Sequence, residues 1–173
     1  MTAIWRLCHT SCMSPTNFAR FQRCESQLSG FMDQALHGVP VENILQPPAS
    51  GKWSANEHLA HLARYQQIFL QRLDQILKEK TPTMPRYRAE EDPEWERWRR
   101  LAYKEIAEEL TAGRERIIAR LKPLSDADYD RTGVHSKFGE MSLAMWVEFF
   151  LVHEAHHLYA VLQEVRGRSG KIG

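Results

Sequence analysis

The chain has little cysteine: three residues in 173, Cys8, Cys12 and Cys24, an odd number crowded towards one end. That usage excludes a disulfide-stapled scaffold and points to free thiols in a reducing, cytoplasmic setting. Cys8 and Cys12 flank His9 as a metal fragment would, but no fourth ligand stands at usable spacing. Charge of one sign is also lacking, because 23 Lys and Arg stand against 22 Asp and Glu for a formal net charge of +1. Nucleic acid and anionic membrane surfaces therefore find no electrostatic footprint. No uncharged apolar run reaches the ~18 residues of a membrane-spanning helix. The first dozen residues hold one Arg, no long apolar core and no small-residue cleavage site, so residues 1–13 read as a poorly ordered extension, not a secretory signal. Neither an alternating strand pattern nor an internal repeat stands out, which removes sandwiches, barrels and solenoids.

What is present is helical periodicity cut by breakers. A first helix is expected from about Pro15 to Leu36, carrying Phe18, Phe21, Leu28, Phe31 and Met32, and His37-Gly38-Val39-Pro40 stops it. A second runs from Ser54 to Lys80. Ser54 caps it and Glu57 completes a capping box, and Thr81-Pro82-Thr83-Met84-Pro85 ends it. A third is expected from Pro93 to Leu121, capped by Asp92, with dense Arg and Glu forming a solvated face. Lys122 to Glu140 reads as a long loop and Met141 to Arg166 as the last helix, closed by Gly167. Hydrophobic content of 43% and charged content of 26% are ordinary for one globular domain of this length. The expected fold is all-α: a four-helix bundle with long connections over residues 14–168, followed by a flexible tail at 169–173. Trp95 and Trp98 are either core residues or part of an amphipathic surface left for a second subunit.

The chemistry-bearing stretch is His153-Glu154-Ala155-His156-His157 in the last helix, which reads H-E-x-x-H. Two imidazoles at i, i+4 share a helix face and can grip one ion, but they need a third ligand. The extended zinc-protease motif would place a His six residues beyond His157, where this chain has Gln163. The one carboxylate between there and Gly173 is Glu164, on the same helix, so a protease is disfavoured. At 100° per residue, His153 and His157 lie within about 40° of each other, on the face that carries Leu143, Trp146, Phe150 and Val161. Both therefore point inward. A single inward His is most simply a hydrogen-bonded core residue, whereas two at this spacing with a third on another helix favour a shared metal. Upstream, His58 and His61 open the second helix. Its apolar stripe, Leu62, Tyr65, Phe69, Leu73 and Ile76, centres about 80° from His61, and periodicity alone selects His58 as the more inward.

The W-S-x-x-E-x-x-x-H opening of Trp53, Ser54, Glu57 and His61, paired with the late H-x-x-x-H of His153 and His157, resembles the DinB-like superfamily of four-helix metal-binding bundles. That group includes the YfiT-type proteins, provisionally classed as metal-dependent hydrolases, and the bacillithiol and mycothiol S-transferases. The likeness runs loosely over residues 14–166, including Leu124-Ser125-Asp126 and the Gly139-x-Met141-Ser142 entry to the last helix. It implies a DinB/YfiT-like fold, His61, His153 and His157 as ligands of one divalent metal (Zn or Ni first, Mn or Fe also), and a homodimer. On this point it prefers His61 where periodicity prefers His58.

Three neutral imidazoles leave coordination positions open, as in catalytic rather than structural sites. Such a site supports hydrolysis through an activated water, or transfer of a low-molecular-weight thiol to a small electrophile. Glu154 and Glu57 are the candidate catalytic carboxylates, though a seam ion pair and a helix cap are their simpler uses. His135 and Tyr65 are placed to line a pocket, and Arg86, Tyr87 and Arg88 to meet an anionic substrate, unless they are respectively a surface His, a packed Tyr and a solvated loop. The alternative function is a non-catalytic metal-binding bundle with a stress-response role.

Overall fold

In a computed structural model of the chain, residues 13–49 and 51–169 are described. All of the expected extension but Met13, including Cys8 and Cys12, and all but the first residue of the expected tail lie outside them. In chain order come α1 (Pro15–Ala35), α2 (Val41–Leu45), α3 (Ala55–Lys78), β1 (Thr83–Met84), a 3-10 turn at Ala89–Glu91, α4 (Trp95–Trp98), α5 (Tyr103–Leu121), α6 (Asp126–Tyr129), β2 (Thr132–His135), β3 (Gly139–Ser142) and α7 (Leu143–Ser169). The four long helices form the bundle. No helix among the described residues is long and apolar enough to cross a membrane.

Local chemistry sets the helix starts. Ser14 caps α1 with Pro15 in its first turn. Ser54 caps α3 by accepting from the Glu57 amide, while the Glu57 carboxylate accepts from the Ser54 amide at 2.8 Å. The expected third helix is broken. Asn56 of α3 takes the Leu101 carbonyl, and Glu105 caps the Ala102 amide at 2.8 Å, so α5 starts afresh. Trp95 and Trp98 sit in the separate α4 and are buried, which settles them as core and not as a pairing surface. At the other end, Gly167 does not stop α7, which continues to Ser169.

The packing order around the bundle is α1, α5, α3, α7, with α3 and α5 each touching both of their neighbours and α1 lying across from α3. Contacts also fix the directions. Asn56 meets Leu101 and Asp74 meets Arg120, so α3 and α5 run parallel; His61 meets His153, and α7 runs opposite to α3. Arg20 meets Glu148 and Gln27 meets Glu154, so α1 runs with α7. Two parallel neighbours cannot be joined by a short turn. The connection at residues 79–102 therefore has to travel back along the bundle, and it carries β1 and α4 over the side where α3 faces α7.

Part of the expected loop at 122–140 is sheet. β1 pairs parallel with β2, and β2 pairs antiparallel with β3, with Gly133 opposite Met141 and His135 opposite Gly139. Gly139 takes a left-handed φ of 76°, as the tight turn requires. At Gly133 a Cβ would meet the Met84 methyl at 2.5 Å and Ile76 Cγ1 at 3.0 Å, so a larger residue would force those two side chains to move.

Burial falls into two apolar clusters, one around Phe69, Trp146 and Phe150 and the other around Leu59, Ile106 and Val161. Between them a polar belt crosses the bundle. His61, His153 and His157 occupy its α3–α7 side, and Arg114 with Glu154 its α1–α5 side.

Candidate metal centre

The capped start of α3 holds His58 and His61 in its first two turns, and α7 presents His153 and His157 one turn apart opposite them. His61 Nε2 lies 3.1 Å from His153 Nε2, and His58 Nδ1 lies 2.9 Å from His157 Nδ1. Trp53, just before the cap, folds over the group, its ring centroid 5.2 Å from His61, 5.4 Å from His58 and 6.0 Å from His157. From the connection at residues 79–102, a strap over this side of the bundle, Tyr87 stacks on His61 at 5.6 Å and Trp95 meets it edge-on.

Burial keeps these rings neutral. It pushes His61 down to about 3 and His58 and His153 each to about 4, and neighbouring imidazoles push the same way. His157 is driven further below the ordinary histidine range, by burial first and then by His61 and His153. Neutral imidazoles offer lone pairs, and His61, His153 and His157 bring one ring nitrogen each within 4.8 Å of one another. Two rings on one tetrahedral ion, bound at about 2.0–2.1 Å, would hold their nitrogens roughly 3.3 Å apart, close to the spacing of His61 and His153. Nδ1 of His61 and of His153 is buried with no hydrogen-bond partner. The donor set fits a divalent transition metal better than it fits a satisfied apolar core.

His58 and His61 are both at the site. The N-terminal half of α3 is buried over most of its circumference, so the stripe there is too wide to choose one. His61 is the one whose ring nitrogen clusters with those of His153 and His157, and His58 instead touches the ring of His157.

The carboxylate candidates are committed elsewhere. Glu57 closes the capping box and is gripped by Arg99 at 2.6 Å, and these bonds hold its carboxyl low against the opposing effect of burial. Glu154 is 1% exposed, paired with Arg114 and bonded by Gln27 at 3.0 Å, facing away from the imidazoles. Burial pushes its carboxyl up, while Arg114 and Gln27 pull it back. Asp92 on the strap is held by Arg64 at 2.7 Å.

A cavity of about 250 Å³ opens beside His153, walled by Tyr65, Tyr87, Phe138 and Phe149, with His135 and Arg72 among its lining residues. Tyr65 is packed, as its simpler reading had it, and also lines the cavity, whereas His135 is buried there and is not the surface His of its simpler reading. Arg86 and Tyr87 reach the same cavity, whereas Arg88 pairs with Glu91 at 2.6 Å and does not.

A family model for the DinB superfamily matches residues 30–161. The chain belongs to the DinB superfamily. This DinB chain is 26% identical to the uncharacterized protein YuaE of Bacillus subtilis over 71% of its own length and 83% of that one. It is 25% identical, over 80% of each chain, to a protein of Oceanobacillus iheyensis whose name gives it provisionally as a metal-dependent hydrolase. The fold is shared with YfiT from Bacillus subtilis, described as a probable metal-dependent hydrolase with an unusual four-helix bundle topology. Here the TM-score is 0.75 at 20% identity, covering 94% of this chain and 93% of that one. In this DinB chain sequence reasoning missed Lys137 beside the cavity and, above all, Arg72. It lies about 20° from His61 on the inward face of α3, and a cation inside an apolar stripe was the available signal.

Proposed function

We propose that this DinB protein binds one divalent transition metal on His61, His153 and His157, and uses it as an enzyme acting on a small substrate. The convergence of three neutral imidazoles, one of which, His153, lines a walled cavity, carries this reading, and the provisional name of the Oceanobacillus relative agrees with it. Zinc or nickel suits the ligand set first, and manganese or iron is also compatible. An ion held by three imidazoles keeps open positions and lowers the pKa of a bound water or thiol. The chain's own residues do the rest. Trp53 and Tyr87 exclude bulk water from the imidazoles, and His58 fixes the orientation and tautomer of His157 through their Nδ1 contact.

Hydrolysis of a small ester or amide and transfer of a low-molecular-weight thiol both fit this site. One observation favours thiol transfer. Glu57, Asp92 and Glu154 are each held by an arginine, so none of them is free to take a proton from water. A thiol ionised by its surroundings needs no such base. The free thiol of Cys24, buried beside Arg114, agrees with a reducing, cytoplasmic setting.

Elemental analysis of protein purified without a His-tag or chelator should find close to one metal per chain. His61→Ala, His153→Ala and His157→Ala should each abolish binding. His58→Ala should weaken it by roughly 10–100-fold, as loss of an orienting partner does. Saturation at ~100 times the dissociation constant should add about 2.7 kcal/mol to stability, read as a melting shift on chelation. Conjugation of a bimane or a chlorinated nitroarene by a cellular thiol should then follow metal occupancy. Hydrolysis without conjugation would select the other branch. Metal-loaded protein inert with both classes of substrate would leave the non-catalytic, stress-response bundle.

The homodimer belongs to the same proposal. Met145, Val152 and Tyr159, seven residues apart on α7, are 52%, 65% and 60% exposed and give it a candidate apolar face. Sedimentation at micromolar concentration should yield twice the 20.2 kDa of one chain. Val152→Glu should return it to one, and a monomer from the outset would remove the claim.

A further inference from the structure

The cavity beside His153 contains an imbalance of charge. Arg72, Arg86 and Lys137 line it, and no carboxylate does. Arg72 is only 5% exposed, donates to the Tyr65 hydroxyl at 3.2 Å and the Pro85 carbonyl at 2.7 Å, and forms no ion pair among the described residues. Its guanidinium instead rests 5.7 Å from the Tyr65 ring centroid and 5.4 Å from that of Trp146. Buried cations are normally paired, and the other arginine inside the bundle shows the normal case, Arg114 being held by Glu154. Arg86 and Lys137 at the rim likewise have no carboxylate partner among the described residues. Lys137 Nζ sits over the Phe138 ring at 5.3 Å.

His135 adds a neutral donor. Its Nδ1 accepts from the Lys137 and Phe138 amides at 3.0 and 3.3 Å, which leaves the ring proton on Nε2. Burial lowers its pKa, and Arg72, Arg86 and Lys137 lower it further, which places all three cations within electrostatic range of this one ring.

We infer that this cavity is an oxyanion pocket, built to hold the carboxylate or phosphate of a small substrate whose flat or apolar body lies between Tyr87 and Phe149. Arg72 forms the floor, with donors fixed by Tyr65 and Pro85, and Arg86 and Lys137 close the rim. Arg72 is a positioning residue as well, because it also holds Tyr65, which packs on His153 at a centroid distance of 4.2 Å. The inference rests on the metal-dependent reading for what happens to the bound molecule, but not for its binding.

The test uses metal-free full-length protein, dialysed free of chelator, titrated calorimetrically with benzoate, phenyl phosphate and the neutral isostere benzamide. Benzoate or phenyl phosphate should bind, the tighter of the two naming the oxyanion, and benzamide should bind at least roughly tenfold more weakly. The double variant Arg86→Ala/Lys137→Ala, both at exposed positions, should weaken the anion by about tenfold or more and flatten its salt dependence. Arg72→Met should do the same and, unlike a purely structural lesion, should leave benzamide binding unchanged. Benzamide binding as tightly as benzoate, no anion binding, or an unaffected double variant would each overturn the pocket. Loss of the metal reading would not disturb this titration, and failure here with normal metal binding would sink the oxyanion pocket alone.

Discussion

Metal-free protein should lose stability steeply as the pH falls from about 6.5 towards 4.5. His61 titrates in the folded state at about 3, and His58 and His153 at about 4, with His157 lower still, against about 6.5 in the unfolded chain. Below 6.5 the unfolded chain therefore binds more protons than the native one, and acid favours unfolding. The stability is fully present above the unfolded value and is withdrawn as the pH drops towards the folded values. Each group withdraws up to about 1.4 kcal/mol per pH unit. Several kcal/mol would be gone by pH 5, enough to unfold a domain of ordinary stability. The depressed carboxylates of Glu57 and Asp92 act only below their own unfolded range near 4, so the imidazoles go first. Glu154, pushed up by burial, works in the opposite sense above its own unfolded value. Urea titrations at half-unit pH steps would show the slope. A flat profile between pH 7 and 5 would mean that the cluster is not held neutral.

Glu154→Ala should cost about 3–5 kcal/mol, because it strands the Arg114 guanidinium inside the bundle without its counter-charge. Arg114 is 6% exposed, its remaining partners are the Cys24 carbonyl and sulfur, and its Nε already lacks one. Replacing both members, as in Arg114→Met/Glu154→Leu, should recover most of the loss, since two apolar groups of similar volume leave no buried charge unpaired. Metal affinity should be unchanged in the double variant, because Glu154 faces α1 and α5 while His153, one residue away, faces α3. A double variant that folds but no longer binds metal would return Glu154 to the functional site. Denaturant melts with a metal titration on each variant separate these outcomes.

The bundle was legible in the chain because four long helices declare themselves by period and cap. Ser54 with Glu57 marks the start of α3, and the inward faces of His153 and His157 follow from spacing alone. The hairpin at β2 and β3 was not legible. Four residues with a glycine, Thr132 to His135, make too short an alternation, and what holds them is tertiary: Trp146 Nε1 donates to the Gly133 carbonyl at 3.3 Å and the Leu143 amide to that of Arg131 at 2.7 Å. The break between α4 and α5 was hidden likewise, because Asn56 makes it from another helix. At the site, periodicity asked which of His58 and His61 faces inward, and the wide buried surface of early α3 admits both. Arg72 was passed over because a stripe of Phe69, Leu73 and Ile76 reads as oil, and only the fold shows the cavity beside it.

Trp53 also gives the site an optical handle. Its indole lies within about one ring's width of three imidazoles and 4.8 Å from the indole of Trp95, so its emission samples the place where an ion would sit. Open-shell ions such as nickel or iron should darken that emission and zinc should only shift it, so a cuvette could tell which class of ion has arrived, and how fast, without a label.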